Sequence, residues 1–287
     1  MRDITIANIT QAAVDSYGGL PDERQRTLVQ GMVSHLHAYV RETKLTHAEW
    51  RAALAFLQRA ADISSESRSE FTLLSDVTGV SSLVDLLASD PAATPGSVLG
   101  PFHTAGSPWK DNPVNLIGQN TGSPVLLRGQ VTGADGQALS GATLDFWQNA
   151  ANGMYWQMDP DQPTDNLRCQ LKVDADGCFE IATTRAVPYM IPTDGPVWKD
   201  LVEPAGRRAW RPCHFHVIVS APGHRTLVTE IFDAEDPYLE DDAVFGVREA
   251  LIGRYETVHD PQACQRLGWP GPTCTVMRFD IRLAVSG

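Results

Sequence analysis

Two different rhythms of apolar residues divide the chain. From Pro21 to Glu42, Leu28, Met32 and Leu36 recur every four residues, and Val29, Val33 and Val40 widen the stripe. That is the 3.6-residue period of an amphipathic helix. Thr46 stands three residues before Glu49, the spacing of a capping box, so a second helix is expected with Trp50, Leu54 and Leu57 on one face. Ser67 and Glu70 repeat that spacing and predict a third helix carrying Leu73, Leu74 and Val77, stopped at Gly79, with a short further helix over Ser82–Ala88. Between residues 91 and 122 proline and glycine are too dense for regular structure, and a domain boundary is expected near residue 95. Beyond it the rhythm shortens. Strands are expected at Val125–Thr132, Ala142–Gln148, Gln170–Val173, Cys178–Thr183, His214–Ser220, Thr226–Phe232 and Thr275–Leu283, with Asp135-Gly136 and Asp176-Gly177 as turns between them. The fold class is therefore mainly β with an α-helical N-terminal part: helices over 1–95 and an antiparallel β-sandwich over 96–287.

Charge and cysteine usage narrow the function classes. The formal charge of −12 repels polyanions, which sets nucleic acid aside as a partner. No apolar run approaches the ~18 residues of a membrane span, and the N-terminal residues lack the basic start and apolar core of a secretory signal. Five cysteines, an odd number without CxxC spacing, argue against a disulfide framework or zinc knuckle and for a reducing cytoplasm. No Gly-rich phosphate loop follows a strand, so nucleotide binding has no support.

The strongest local signal is Trp210-Arg211-Pro212-Cys213-His214-Phe215-His216. In a strand alternate side chains share a face, so His214 and His216 aim two nitrogen donors at one point. By itself this pattern is also that of two half-buried strand histidines. Tyr155, in a loop after a strand, and Tyr189, between Pro188 and Pro192, occupy unusual settings. Taken singly, each reads more readily as a core or rim aromatic.

Together these residues resemble the intradiol ring-cleavage dioxygenases of the catechol 1,2-dioxygenase type, which carry Tyr, Tyr, His, His in this order along the chain. Gly100-Pro101-Phe102 and the segments Thr46–Trp50 and Arg68–Asp76 extend the resemblance from about residue 20 to about residue 283. The resemblance implies one Fe(III) per subunit held by Tyr155, Tyr189, His214 and His216, with an aromatic vicinal diol and O2 as substrates. It also implies that Tyr189 leaves the metal and acts as a base, and that Arg211 stabilises negative charge. Phenolate is a hard anionic oxygen donor that suits a ferric ion, and a bound cation drives off its proton. A homodimer through the N-terminal helices, with a phospholipid at its interface, is likewise implied, and the Leu28/Met32/Leu36 stripe fits that role as well as it fits packing within one subunit.

Side motifs refine the resemblance. Ile191–Val197, Asp159–Pro163 and Ala243-Val244-Phe245-Gly246-Val247 look more like hydroxyquinol 1,2-dioxygenases, in which an Asp follows a pocket leucine by three residues, here Leu73 and Asp76. The expected substrate is then benzene-1,2,4-triol, cleaved to maleylacetate; the alternative is catechol or a substituted or chlorinated catechol giving cis,cis-muconates. Val98, Leu99, Gly100, Pro101, Phe102 and Val244 are expected to line the pocket, with Arg211 and Glu230 as further substrate contacts. Glu230, where the family often carries Gln or His, and also Cys213 and Trp198, depart from the family pattern. Two rivals remain from other classes: a non-catalytic prealbumin-like β-sandwich binding module, and a zinc hydrolase on His214 and His216, which lacks a third ligand and an HExxH helix.

Overall fold

The computed structural model describes residues 3–65, 68–266, 268–269 and 271–286. The chain separates into two compact units, Met1–Gln58 and Arg59–Gly287.

In the first unit, α1 (Ile9–Ser16) packs on α2 (Glu23–Thr43), and Gln30 and Arg41 of α2 reach back to the carbonyls of Val14 and Ile6. Asp22 caps α2 by accepting from the Gln25 amide. The expected capping box is formed: Glu49 accepts from the Thr46 amide at 2.8 Å while Thr46 Oγ1 accepts from the Glu49 amide at 3.3 Å, and α3 (His47–Ile63) starts there. Leu28, Met32, Leu36, Tyr39 and Val40 stay exposed along α2, as do Trp50, Leu54 and Leu57 along α3.

In the second unit, α4 (Glu70–Val77) is capped by Ser69, whose hydroxyl accepts from the Thr72 amide; the expected cap Ser67 lies outside the described residues. Gly79, at φ 76°, turns the chain directly into α5 (Val80–Ala88), because the left-handed conformation costs glycine nothing. The β segments are β1 (Val114–Asn115), β2 (Pro124–Gly133), β3 (Thr143–Trp147), β4 (Arg168–Lys172), β5 (Cys178–Thr184), β6 (Tyr189–Met190), β7 (Trp210–Arg211), β8 (His214–Ser220), β9 (Leu227–Asp233), β10 (Ile252–Gly253), β11 (Tyr255–His259), β12 (Thr273–Arg278) and β13 (Ile281–Leu283), with α6 (Pro261–Arg266) before β12.

One sheet runs β1-β5-β2-β12-β11 with β13 also on β2, the other β10-β9-β8-β3-β4, and β6-β7 form a separate ribbon. The ladders β2–β5, β3–β4, β3–β8, β8–β9 and β11–β12 are antiparallel. Parallel pairings attach β1, β10, β12 and β13, an addition that alternation alone does not reveal because either direction presents the same period-two pattern. The inner faces form one core: Val125, Leu127, Val131, Phe179 and Ile181 from one sheet against Leu144, Phe146, Leu171, Phe215, Val217 and Ile231 from the other. Among the described residues no single helix is long and apolar enough to cross a membrane.

Candidate metal centre and ring-binding pocket

Strand β8 places the site. Phe215, Val217 and Val219 point into the sandwich core, so alternation sends His214 and His216 to the other face. That outer face would normally be wet, yet both histidines are buried. What covers it comes from both neighbouring strands and from the segments that carry Gly100, Tyr155 and Tyr189. In register, His216 stands opposite Trp147 of β3 and Glu230 of β9. The indole of Trp147 lies parallel to the His216 ring, 4.7 Å between centroids and 3° between planes. Gly100, at φ 72°, brings backbone over the same imidazole; a Cβ there would meet His216 Cε1 at 3.4 Å.

The tyrosines arrive from separate segments. Tyr155 follows β3 and leads into a 3-10 turn, Trp156–Met158. Tyr189 sits in β6, paired across the short ribbon with Arg211 of β7, so the two-strand pairing fixes both at once. Phe102 stacks on Tyr155 at 4.7 Å and meets Tyr189 edge-on at 6.2 Å. Gln157 donates to the Phe102 carbonyl at 2.7 Å and holds that loop in place.

The polar atoms converge. His214 Nε2 and His216 Nε2 are 3.1 Å apart, and Tyr155 Oη is 3.1 Å from His216 Nε2. Tyr189's ring centroid is 5.5 Å from both the Tyr155 and His214 rings. His214 Nδ1 is 2.7 Å from the Pro212 carbonyl, which keeps a proton on Nδ1 and leaves the Nε2 lone pair facing inward. Burial, then Arg211, lowers His214 to about 4, and burial, then His214, pushes His216 well below the ordinary histidine range, so both rings are neutral donors. Burial raises both phenols: Tyr155 is lifted further by Tyr189, whereas Arg211 pulls Tyr189 back down. Two imidazole lone pairs and two buried phenol oxygens around one point repel one another unless a cation sits among them, and a trivalent ion would supply the charge that these phenols need to ionise. The donor set therefore fits a hard metal ion. His214, His216 and Glu230 by themselves also offer one ligand atom each within 4.8 Å of one another.

Beneath the histidines lies a buried ion cluster. Arg211 donates from Nη1 to Glu230 Oε1 at 2.6 Å, from Nη2 to Glu230 Oε2 at 3.0 Å, and from Nε to Asp242 Oδ1 at 3.0 Å. Ser97 donates to Glu230 Oε2 at 2.6 Å. Burial pushes the Glu230 carboxyl up, but Arg211, His214 and His216 outweigh it and hold it at about 2; burial opposes the Arg211 charge, and Asp242 and Glu230 more than restore it. Gly246 closes over the cluster. Its amide donates to Asp242 Oδ2 at 2.7 Å, and a Cβ at this position would lie 2.7 Å from both Arg211 Nη2 and Glu230 Oε2.

The other expected site residues separate into three groups. Leu73, Pro101 and Phe102 line a cavity of about 570 Å3 together with Met190 and Ile191 and the charged Arg68, Glu70 and Asp194; neither the two tyrosines nor the two histidines line it. Asp76 is buried one turn beyond Leu73 on α4; burial raises its carboxyl while Ser81 and then Arg211 lower it. Val98 and Val244 are buried and Leu99 is exposed, and these three, like the expected Gly100 and Asp76, do not line that cavity. His103 contacts Trp147 and Asp145, Cys213 donates its amide to Asp236, and Trp198 opens a π-helical turn over Trp198–Val202. Asp242, Ser97 and Trp147 escaped the sequence reading. Only Asp242 had a signal: a buried Arg211 demands carboxylate partners, and Asp241-Asp242 stands beside the Ala243–Val247 motif.

Comparison with known proteins places this geometry in a family. The chain matches the family model described as "Catechol dioxygenase N terminus" over residues 22–95 and the one described as "Dioxygenase" over residues 98–285. It is 38% identical over 255 residues to the 6-chlorohydroxyquinol 1,2-dioxygenase of Cupriavidus pinatubonensis, covering 88% of this chain and 92% of that protein. The solved hydroxyquinol 1,2-dioxygenase of Pseudomonas putida DLL-E4 superposes with a TM-score of 0.84 at 42% identity, over 98% of this chain and 99% of that one. The catechol 1,2-dioxygenase of Pseudomonas arvilla C-1 does so with a TM-score of 0.80 at 30% identity, over 98% and 92%. The chain belongs to the intradiol ring-cleavage dioxygenases.

Proposed function

We propose that this enzyme holds one Fe(III) on Tyr155, Tyr189, His214 and His216 and cleaves benzene-1,2,4-triol with O2 to give maleylacetate. The observation that carries the reading is the convergence of two neutral imidazole Nε2 atoms and two buried phenols at one point. The metal supplies Lewis acidity and an electron sink for the bound diol. The remaining work falls to the chain. Tyr189, as phenolate, accepts a proton from the diol, general-base work by a group already in place. Arg211 favours that phenolate by lowering the proton affinity that burial raises. Phe102, Leu73 and Ile191 take the apolar faces of the ring and exclude water. Asp76, on the buried face of α4 with Leu73, accepts a hydrogen bond from the third ring hydroxyl beside the one it has from Ser81; a plain catechol cannot supply it.

One observation favours a second reading, in which His214, His216 and Glu230 hold a ferrous ion as two imidazoles and a carboxylate. Against it, both Glu230 oxygens are already engaged, Oε1 by Arg211 and Oε2 by Ser97 and Arg211. Colour separates the two. A phenolate-bound ferric centre gives a red to burgundy protein with a visible band that moves on anaerobic addition of the triol, and Tyr155→Phe or Tyr189→Phe alters that band. Iron-loaded protein with no visible band rejects the ferric tyrosinate reading, and much faster turnover of catechol or a chlorocatechol than of the triol rejects the substrate.

The same proposal includes a homodimer formed through the helices of residues 1–95, supported by the exposed Leu28, Met32 and Leu36 on α2, with a phospholipid against that apolar surface. The catalytic domain is assigned to residues 96–287. A reducing, cytoplasmic setting is supported by the five free cysteines.

A further inference from the structure

We propose that Glu230 is a positioning residue for the metal centre: its carboxylate orients His216 through Nδ1, ties down the Arg211 charge, and makes the centre richer in electrons than a neutral side chain at this position would. The inference rests on the ferric reading above and deepens it.

The placement carries the argument. Glu230 Oε1 is 3.3 Å from His214 Nε2 and 3.5 Å from His216 Nδ1. The register of β8 and β9 sets this, because His216 and Glu230 face each other across the ladder and share its outer face. His216 Nδ1 is buried and has no hydrogen-bond partner among the described residues. Among the described residues Glu230 is the acidic group beside it, so the carboxylate is the group toward which an Nδ1–H would be drawn, leaving the Nε2 lone pair facing Tyr155 and His214. A carboxylate behind a metal-binding imidazole fixes its tautomer and raises its basicity. His214 does not need this service, since the Pro212 carbonyl already holds its Nδ1 proton.

The second part concerns charge. Arg211 alone would be a buried cation with Nη1 at 3.3 Å from His214 Nε2, close enough to oppose a metal cation. Glu230 and Asp242 together more than cancel it, so the buried trio is net negative. Asp242 meets Arg211 through Nε and Nη2, on the side away from the Nη1 that faces His214, whereas Glu230 lies directly beside both imidazoles. Negative charge next to the ligands favours the ferric over the ferrous state and raises the energy of charge transfer from phenolate to metal.

The test compares Glu230→Gln, which keeps size and removes charge, with Asp242→Asn, which neutralises the other arm of the same cluster. Three readouts on iron-loaded protein are used: the visible band, the Fe(III)/Fe(II) midpoint potential, and the rate of iron loss to an external chelator. Expected for Glu230→Gln are a band at longer wavelength, a higher midpoint, and iron affinity lower by about 10–100-fold, with smaller changes in all three for Asp242→Asn. Where Glu230→Gln does not fold by circular dichroism, Glu230→Asp, which retains the charge but draws it back from His216, is expected to shift the band the same way by less. A folded, iron-bearing Glu230→Gln with unchanged band and midpoint overturns the proposal, and so does an equal or larger shift in Asp242→Asn. Wild-type protein with bound iron and no visible band refutes the ferric reading itself, a result separable from any comparison among the variants.

Discussion

Gly246→Ala is the sharpest single test of the ion cluster beneath the histidines. Gly246 is not in the left-handed region, so alanine brings no backbone strain, and the substitution reports on space alone. The added methyl would stand 2.7 Å from Arg211 Nη2, 2.7 Å from Glu230 Oε2 and 3.0 Å from Asp242 Oδ2, where ordinary contact begins at 3.4 Å. None of these atoms is free to swing away. Arg211 is held by both carboxylates, Glu230 by Arg211 and Ser97, and Asp242 by Arg211, and Gly246 itself binds Asp242 through its amide and Ser97 through its carbonyl. If the cluster shifts intact, the cost is that of overpacking, about 1–3 kcal/mol; if a pair opens, a buried charge is left uncompensated and the cost rises toward about 3–5 kcal/mol. An intermediate loss of about 2–4 kcal/mol lowers Tm by roughly 5–15 °C for a unit of this size. Scanning calorimetry on wild type and variant measures it, and the visible band of the iron-loaded protein reports whether the histidines move as well. Glu230→Asp, by shortening one of the three side chains, is expected to recover part of the loss in the Gly246→Ala background. A Tm within about 2 °C of wild type, less than 1 kcal/mol at this size, would refute the crowding argument.

Asp76→Asn is expected to lower kcat/KM for the triol by about 10–150-fold, the value of one buried hydrogen bond to an ionised group, and to leave catechol turnover within about threefold; steady-state oxygen uptake with both diols checks it, and equal losses would remove Asp76 from substrate selection. Burial raises Asp85 to about 6, against a smaller lowering by Arg248. A raised carboxyl binds its proton more tightly folded than unfolded, so wild type loses stability as pH climbs from its unfolded value, about 3.9, through 6. Asp85→Asn is therefore expected to melt higher than wild type at pH 8 and to show little difference at pH 4, by no more than a few degrees because the group is half exposed; a gap that is the same at both pH values would contradict this. Met32→Glu or Leu36→Glu on the exposed α2 stripe is expected to convert a dimer to monomers in sedimentation velocity, without loss of helicity.

Much of this was readable in the sequence because the signals are local. The four-residue stripe of α2, the Thr46–Glu49 box and the strand His214–Ser220 emerged with bounds close to those expected. The expected strand Thr275–Leu283 is two strands, β12 and β13, broken at Phe279-Asp280, where Gln130's amide donates to the Asp280 carboxylate. The β6–β7 ribbon was invisible because two-residue strands have no period to detect, although it is what sets Tyr189 against Arg211. The helices α4 and α5 fall on the helical side of a boundary drawn at the Pro/Gly-rich stretch, yet their apolar residues and Asp76 belong to the same compact unit as the sandwich. Composition marks where the chain stops being helical, not where packing changes partners. Glu230 was legible as an oddity and illegible in role, since its meaning depends on cross-strand register with His216 and on Arg211.

The stacked pair of Trp147 and His216 has an optical consequence. If His216 holds the proposed ferric ion, an indole lying flat on that imidazole would lose its excitation to the ion, so emission from Trp147 is expected to be quenched with iron bound and to return when iron is removed. Trp147 would then report occupancy of the proposed centre in dilute solution, where the colour is too faint to follow. Titrating iron into metal-free protein while recording tryptophan fluorescence, with Trp147→Phe as the reference, shows whether the quenching resides in this one ring among the seven tryptophans.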